Sequence, residues 1–274
     1  MNFRIFFILF ASFFLVSNFS YAQLNTPVLP TVGKIAEQIE NRRSDWTLFK
    51  AKLMLHFFQE DEAKASCFGQ LSYDRIEEKI VLSCVGTQNK LLFIFKTFDR
   101  RFELYLPASQ TVYEGNIFAL NDSPDIDSHL KPLDLYRALK PFVIPLNEAF
   151  VERADKTHTG IKIYSKYHEN RYVSRKLVAT SEGDVPFEIY YSQKEMPVTV
   201  IRRQNYRRMP LSKDTKTKVV LPARIDIESV ASKTRTMLLF KKVDFPARFE
   251  EQEMTYPENV QKVTIEDAAL KSLT

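Results

Sequence analysis

Glycine is scarce in this chain, with 6 residues among 274. The glycines are scattered, so no phosphate-cradling Gly-rich loop is present. Cysteine and histidine are scarce too, at 2 and 4 residues. There is no CxxC pair, and none of His56, His129, His158 and His168 stands at metal-ligand spacing with another His or with a Cys. A GxSxG nucleophile elbow and an HExxH helix are both missing. No catalytic residue, metal ligand or cofactor is assigned from the sequence, and the chain reads as a non-enzyme. Fixed-period repeats and low-complexity tracts are absent. Charge of either sign is not concentrated: the formal balance of +5 is spread along strands and turns. No nucleic-acid motif accompanies it, so nucleic acid is not an expected partner.

What is present begins with a targeting pattern. Arg4 precedes the apolar run Ile5–Val16, and Ser20-Tyr21-Ala22 sets small residues at the −3 and −1 positions of a signal-peptidase site. Residues 1–22 are read as a secretory signal peptide cleaved after Ala22. An uncleaved anchor is the alternative, but the run is shorter than the roughly 18–20 residues of a span. No Cys follows it, which disfavours a lipoprotein signal, and no later stretch is apolar enough to span. The mature protein is expected to be exported, periplasmic and soluble.

The rest of the chain reads as strand after strand. From Trp46 to Phe58, residues Phe49, Ala51, Leu53, Leu55 and Phe57 fall on one face, with Lys50, Lys52 and His56 on the other. Ala63–Asp74 and Glu78–Val85 form a hairpin. Leu91–Phe98, Phe102–Leu106 and Gln110–Glu114 follow, broken by polar turns. Further strands are expected at Ala149–Ala154, Gly160–Tyr167, Tyr172–Ala179, Phe187–Ser192, Pro197–Tyr206, Lys218–Val230 and Thr234–Phe245. Pro222 must sit at an edge or bulge, because it cannot donate to a ladder. Two helices are expected, Thr31–Arg43 with Thr31 as N-cap and Leu133–Leu139 after Pro132. The pattern is mostly β (α+β), with about ten to twelve antiparallel strands. It suits a strongly curved sheet or open barrel around an apolar interior.

Cys67 and Cys84 invite a disulfide in an oxidising compartment. A hairpin centred between Arg75 and Ile76 pairs Leu71 with Ile80, Gly69 with Leu82 and Cys67 with Cys84, side by side within bonding reach. The dense basic run Arg202–Arg208 reads as a solvated hairpin end; contact with phosphates or anionic lipid headgroups is the alternative.

Aromatic residues are abundant, with Phe 22 and Tyr 12. Phe58, Phe68, Phe93 and Phe95 stand opposite the clean apolar faces of their strands. Together they suggest a concave apolar surface able to hold a lipid tail, each buried CH₂ contributing about 0.8 kcal/mol.

Three segments then carry a resemblance: KIAEQIENRRSDWTLFKAKLML, RFELYLPASQTVYEGN and KVVLPARIDIESVASKTRTMLLFKKVDFPARFEEQEM. Their order and punctuation resemble the LolA/LolB-like superfamily of lipoprotein-localisation proteins, at Leu106-Pro107 to Gly115 and at Leu221-Pro222 to Phe249. The resemblance implies an incomplete antiparallel β-barrel with an apolar concave face, covered by a few short helices. It implies a carrier that holds acyl chains of lipoproteins or lipids for outer-membrane lipoprotein sorting. Membrane or envelope proteins would be further partners, and the protein would act as a monomer. The cavity candidates are Leu53, Leu55, Phe57, Phe93, Phe95, Phe102 and Leu104. A lid would fall at Leu133–Leu146, with Leu135, Leu139 and Phe142 as its apolar contacts. Residues 23–250 would form the half-barrel, and 251–274 an acidic tail with a possible short helix. The alternative is an envelope sensor or interaction module that uses the same fold to bind a protein.

Overall fold

A computed structural model describes residues 30–42, 46–118, 132–140, 143–167, 170–211, 218–248, 256–257 and 259–265. The expected signal peptide, the lid candidate Phe142 and residues 266–274 lie outside the described residues.

Helix α1 spans Val32–Asn41, and the Oγ1 of Thr31 accepts from the Lys34 N–H at 3.3 Å, the cap expected from the sequence. Six strands follow: β1 Leu48–Gln59, β2 Glu62–Asp74, β3 Lys79–Val85, β4 Leu91–Phe98, β5 Arg101–Leu106 and β6 Thr111–Asn116. Helix α2 spans Pro132–Leu139. Seven more strands complete a second run: β7 Ala149–Ala154, β8 His158–Tyr167, β9 Asn170–Thr180, β10 Phe187–Tyr191, β11 Pro197–Pro210, β12 Lys218–Ser229 and β13 Thr234–Asp244. The last is β14, Gln261–Ile265.

Among the described residues, all fourteen strands belong to one open, curved sheet in the order β14-β6-β5-β4-β3-β2-β1-β13-β12-β11-β10-β9-β8-β7. Two antiparallel meanders, β1–β6 and β7–β13, are joined where β1 pairs with β13. The fold is the incomplete barrel expected, with two features added. Fourteen strands exceed the expected number, and β14 pairs with β6 in parallel, in a segment the sequence reading leaves in the tail. Gly115 makes this docking possible. Its φ is 153°, and a Cβ there would collide with the backbone oxygen of Ile265.

Period-2 alternation decides what lies inside. Leu53, Leu55, Leu71, Leu82, Phe95, Leu104, Ile201, Ile225 and Leu238 form one buried cluster with Leu133, Leu135, Tyr136 and Ala138 of α2. Helix α2, which follows β6 beside the β14 edge of the sheet and precedes β7 at the opposite edge, packs on the inner face. A second cluster seats Ile35 and Ile39 of α1 against Ile161, Ile163 and Leu177 of β8 and β9. Gly183 (φ 86°) meets the backbone of Gln38 there, so α1 rests directly on the β9–β10 turn. Burying each large aliphatic side chain contributes about 1.5–3 kcal/mol.

Three expectations are corrected. The β2–β3 register is shifted by two residues: Cys84 faces Gly69, and Leu71 faces Leu82. The cause is a four-residue loop, Arg75–Glu78. Asp74 Oδ1 accepts from the N–H groups of Ile76 and Glu77, and Glu78 takes φ 51°. Cys67 and Cys84 are still bonded, diagonally, with their Cα atoms 5.8 Å apart. The four aromatics grouped as one surplus face divide between two. Phe93 and Phe95 are buried in the inner cluster, whereas Phe68 is 64% exposed on the outer face and Phe58 lies under the Arg235 guanidinium at 4.1 Å. Finally, the Arg202–Arg208 run is not wholly solvated, because Arg203 is buried.

Candidate functional site

The site is built where α2 meets β9–β11. The helix sequence PLDLYRAL is apolar at most positions but carries Asp134 and Arg137 toward the sheet. The buried Thr199 hydroxyl donates to Asp134 Oδ1 at 2.6 Å and accepts from Arg137 Nη1 at 3.2 Å. The Arg137 guanidinium lies 4.4 Å from the centre of the Tyr190 ring. One turn on, Arg203 Nη2 donates to the carbonyl oxygen of Ala138 at 3.1 Å. That carbonyl belongs to the last turn of α2, where backbone acceptors have no partner within the helix.

Arg203 is itself held in place. Its Nη1 and Nη2 both reach Glu188 Oε2 at 3.2 Å, and Arg175 Nε lies 2.5 Å from Glu188 Oε1. Arg175 Nη1 also donates to the carbonyl of Val143 at 3.2 Å. Burial alone would push the Glu188 carboxyl up. The guanidinium groups of Arg175 and Arg203 override burial, and the net direction is below the ordinary carboxylate range. Tyr190 moves upward, through burial and through the neighbouring Glu188 charge. The result is a buried polar strip across β9, β10 and β11 that fastens α2 to the sheet.

Beside this strip lies a cavity of about 80 Å³. Its walls are Trp46, Phe49 and Tyr73, Leu139 of α2, Tyr206, Leu221 and Phe240, together with Arg203 and the Arg42–Asp184 ion pair. Trp46, Phe49 and Tyr73 pack edge to face, with centroids 5.2–5.7 Å apart. The cavity sits at a fork in the sheet. Strands β12 and β13 pair only from Arg224–Ser229 to Thr234–Leu239. Beyond that, β12 continues on β11 and β13 continues on β1. Pro222 lies at the fork, opposite Tyr206, and has no N–H to offer β13.

The structure places the predicted residues as follows. Leu53, Leu55, Phe93, Phe95, Phe102 and Leu104 are each at most 4% exposed and pack together in the inner cluster. Phe57 is partly buried against it, its ring 6.4 Å from Phe93. Leu135 of α2 is buried in the same cluster, and Leu139 lines the cavity. Of these residues, Leu139 alone reaches the cavity wall described here. Glu188, Arg175 and Trp46 carry no sequence signal as site residues, and Arg203 enters the sequence reading only as one member of the basic run Arg202–Arg208. For Arg203 a signal existed: Thr199, Ile201 and Arg203 share one face of β11 by alternation, and Ile201 is core.

No protein-family model and no curated protein sequence matches this chain. Solved structures are similar. An outer membrane lipoprotein-sorting protein domain from Vibrio parahaemolyticus superposes with a TM-score of 0.59 at 13% identity, covering 80% of this chain and 94% of that one. A LolA superfamily protein from Nitrosomonas europaea gives 0.56 at 12%, covering 80% and 96%. A DUF1329 family protein from Desulfovibrio piger gives 0.57 at 10%, covering 79% and 92%. At such identities the likeness is one of fold. One open sheet, wrapped around a core that α2 covers, gives this chain the LolA-like fold.

Proposed function

We propose that this protein is an exported, periplasmic carrier or binding protein that takes acyl chains of lipoproteins or lipids beneath α2, in outer-membrane lipoprotein sorting. The observation that carries the reading is the way α2 is held. A helix of eight residues covers the inner face and is fastened by side-chain hydrogen bonds to an aromatic-walled cavity's edge. Such contacts can be exchanged for others without unfolding the sheet behind them. About 80 Å³ is small beside the roughly 150 Å³ of an engineered cavity that admits benzene. An acyl chain therefore enters only as α2 lifts, exposing the apolar side chains it covers. Each tail methylene then buried contributes about 0.8 kcal/mol, so a long chain offsets the lost helix contacts. The lipoprotein-sorting domain with the same fold supports the substrate class.

The chain's one tryptophan, Trp46, lines this cavity and serves as a reporter. Titration with a fatty acid brominated along its chain should quench Trp46 fluorescence saturably. Quenching no greater than that of free tryptophan would count against an acyl site here. A second reading, an envelope sensor or interaction module, is favoured by one observation. The inner face from β1 to β5 is filled by its own side chains, Leu53, Leu55, Phe93, Phe95 and Leu104 among them. That reading expects no acyl quenching and a protein partner recovered from envelope extracts.

A further inference from the structure

We propose that the end of the sheet where β12 and β13 part is a docking face for an anionic lipid bilayer, with Arg207, Arg208, Lys218, Lys241 and Lys242 meeting its headgroups. The acyl reading gives this face a use, but the face is argued from its own residues.

Every strand end that meets at the fork sets exposed cations beside residues that line the cavity. Tyr206 lines it and is followed on β11 by Arg207 and Arg208. Lys218 precedes Val220, Leu221 and Pro222 on β12, and Lys241 and Lys242 follow Phe240 on β13. Trp46 and Phe49 line it too, and Lys52 comes next on the exposed side of β1. Asp244 is the only acid among the described residues of these ends, 46–52, 206–211, 218–223 and 240–248. Lys50 stands opposite Asp244 in the ladder, and Lys242 Nζ lies 3.0 Å from its carboxylate. Arg203, Arg175 and Arg42 are balanced by Glu188, Asp184 and Glu182, so they add nothing to this face.

The far end of the same strands is different. There the β1–β2 and β12–β13 turns match Glu62 with Lys64, Glu60 with Lys233 and Asp61 with Arg235. The excess of positive charge is thus confined to the fork. Lys52 and Lys242 are direct ladder partners, and like charges so placed repel. An anionic surface relieves that cost. The cations also adjoin an apolar, aromatic-walled cavity, and a bilayer is the anionic partner that holds apolar tails beneath its charge. Docked in this way, an acyl chain leaving the headgroup plane meets Leu221, Pro222 and Phe240 first.

The test is co-sedimentation of the purified protein with two kinds of vesicle, pure phosphatidylcholine and phosphatidylcholine with about 30% phosphatidylglycerol. Binding to the anionic vesicles should be about tenfold or more tighter, and should be lost in about 1 M salt. Arg207→Gln with Arg208→Gln should weaken it about tenfold or more. Lys90→Gln with Lys194→Gln removes the same charge from exposed loops at the far end and should change it less than about twofold. Equal binding of the unaltered protein to both vesicles would overturn the proposal, as would equal losses in the two variants. Binding to soluble polyglutamate as tight as to the anionic vesicles would assign the face to an acidic protein and also overturn it. The vesicle comparison needs no variant, so it holds even if the arginine variant does not fold. Trp46 quenching by the brominated fatty acid, read without vesicles, separates the two readings. Quenching without vesicle preference leaves the acyl site standing and sinks the docking face, and vesicle preference without quenching does the reverse.

Discussion

Arg203 Nη2 donates to the Ala138 carbonyl oxygen at 3.1 Å, so the last turn of α2 hangs from a buried side chain of β11. An isolated helix of this length is marginal in water, and its position therefore depends on what holds it. Arg203→Met removes the tie and leaves Glu188 with one guanidinium neighbour fewer. The variant should lose about 2–4 kcal/mol of stability in urea unfolding. Hydrogen exchange should accelerate in α2 and leave β1–β4 protected.

The same strip makes stability depend on acid. Glu188 stays ionised in the folded protein at pH values where the unfolded chain would take up a proton. The unfolded state thus binds more protons below the ordinary value of 4.5, and stability should fall as pH drops from there through the lower folded value. Glu188→Gln should flatten this acid limb of a stability-against-pH curve. An unchanged slope would mean that other carboxylates set it.

The diagonal bridge between Cys67 and Cys84 closes a loop with a sequence separation of 17. Replacing both cysteines by alanine should lower stability by about 3 kcal/mol, and the unaltered protein under reductant should follow it. Thiol labelling of the unreduced, denatured protein should find no free thiol.

Substituting Gly115 acts on β14. Gly115→Ala places a methyl against the backbone oxygen of Ile265 and at a φ that side chains avoid. The amides of residues 261–265 should lose their exchange protection, while those of β4 and β5 keep theirs.

Phe68 and Phe93 separate the two faces of the sheet. Phe93→Ala should cost about 3–5 kcal/mol, because its ring is buried in the inner cluster. Phe68→Ser should stay within about 0.5 kcal/mol, since the ring is largely in water. Similar losses in chemical denaturation would contradict the assignment of faces.

Much of the fold was legible because local rules act on it. The alternation of Phe49, Ala51, Leu53 and Leu55 marks β1, and Thr31 marks the start of α1. The restriction on Pro222 is borne out at the fork between β12 and β13. What escaped depends on geometry that no local pattern encodes. The β2–β3 register turns on the number of residues in the Asp74–Lys79 loop, and a two-residue change slides the whole ladder. Strand β14 pairs in parallel with β6, about 150 residues earlier, and shows no hairpin signal. Arg202 and Arg203 look alike in sequence, but alternation sends one to Glu228 on the outer face and the other beneath α2. The site was hardest to read because its polar residues come from α2, β9, β10 and β11, and only the folded sheet brings them together.

The central claim is that α2 covers a place for acyl chains, and the most direct measurement is native mass spectrometry of the protein purified under gentle conditions. The account predicts a bound acylated ligand, near one per chain, that is lost when Leu139 and Phe240 on the cavity wall are replaced by serine in a still-folded protein. A ligand-free spectrum, with no acyl ligand taken up on incubation with lipid, would contradict it.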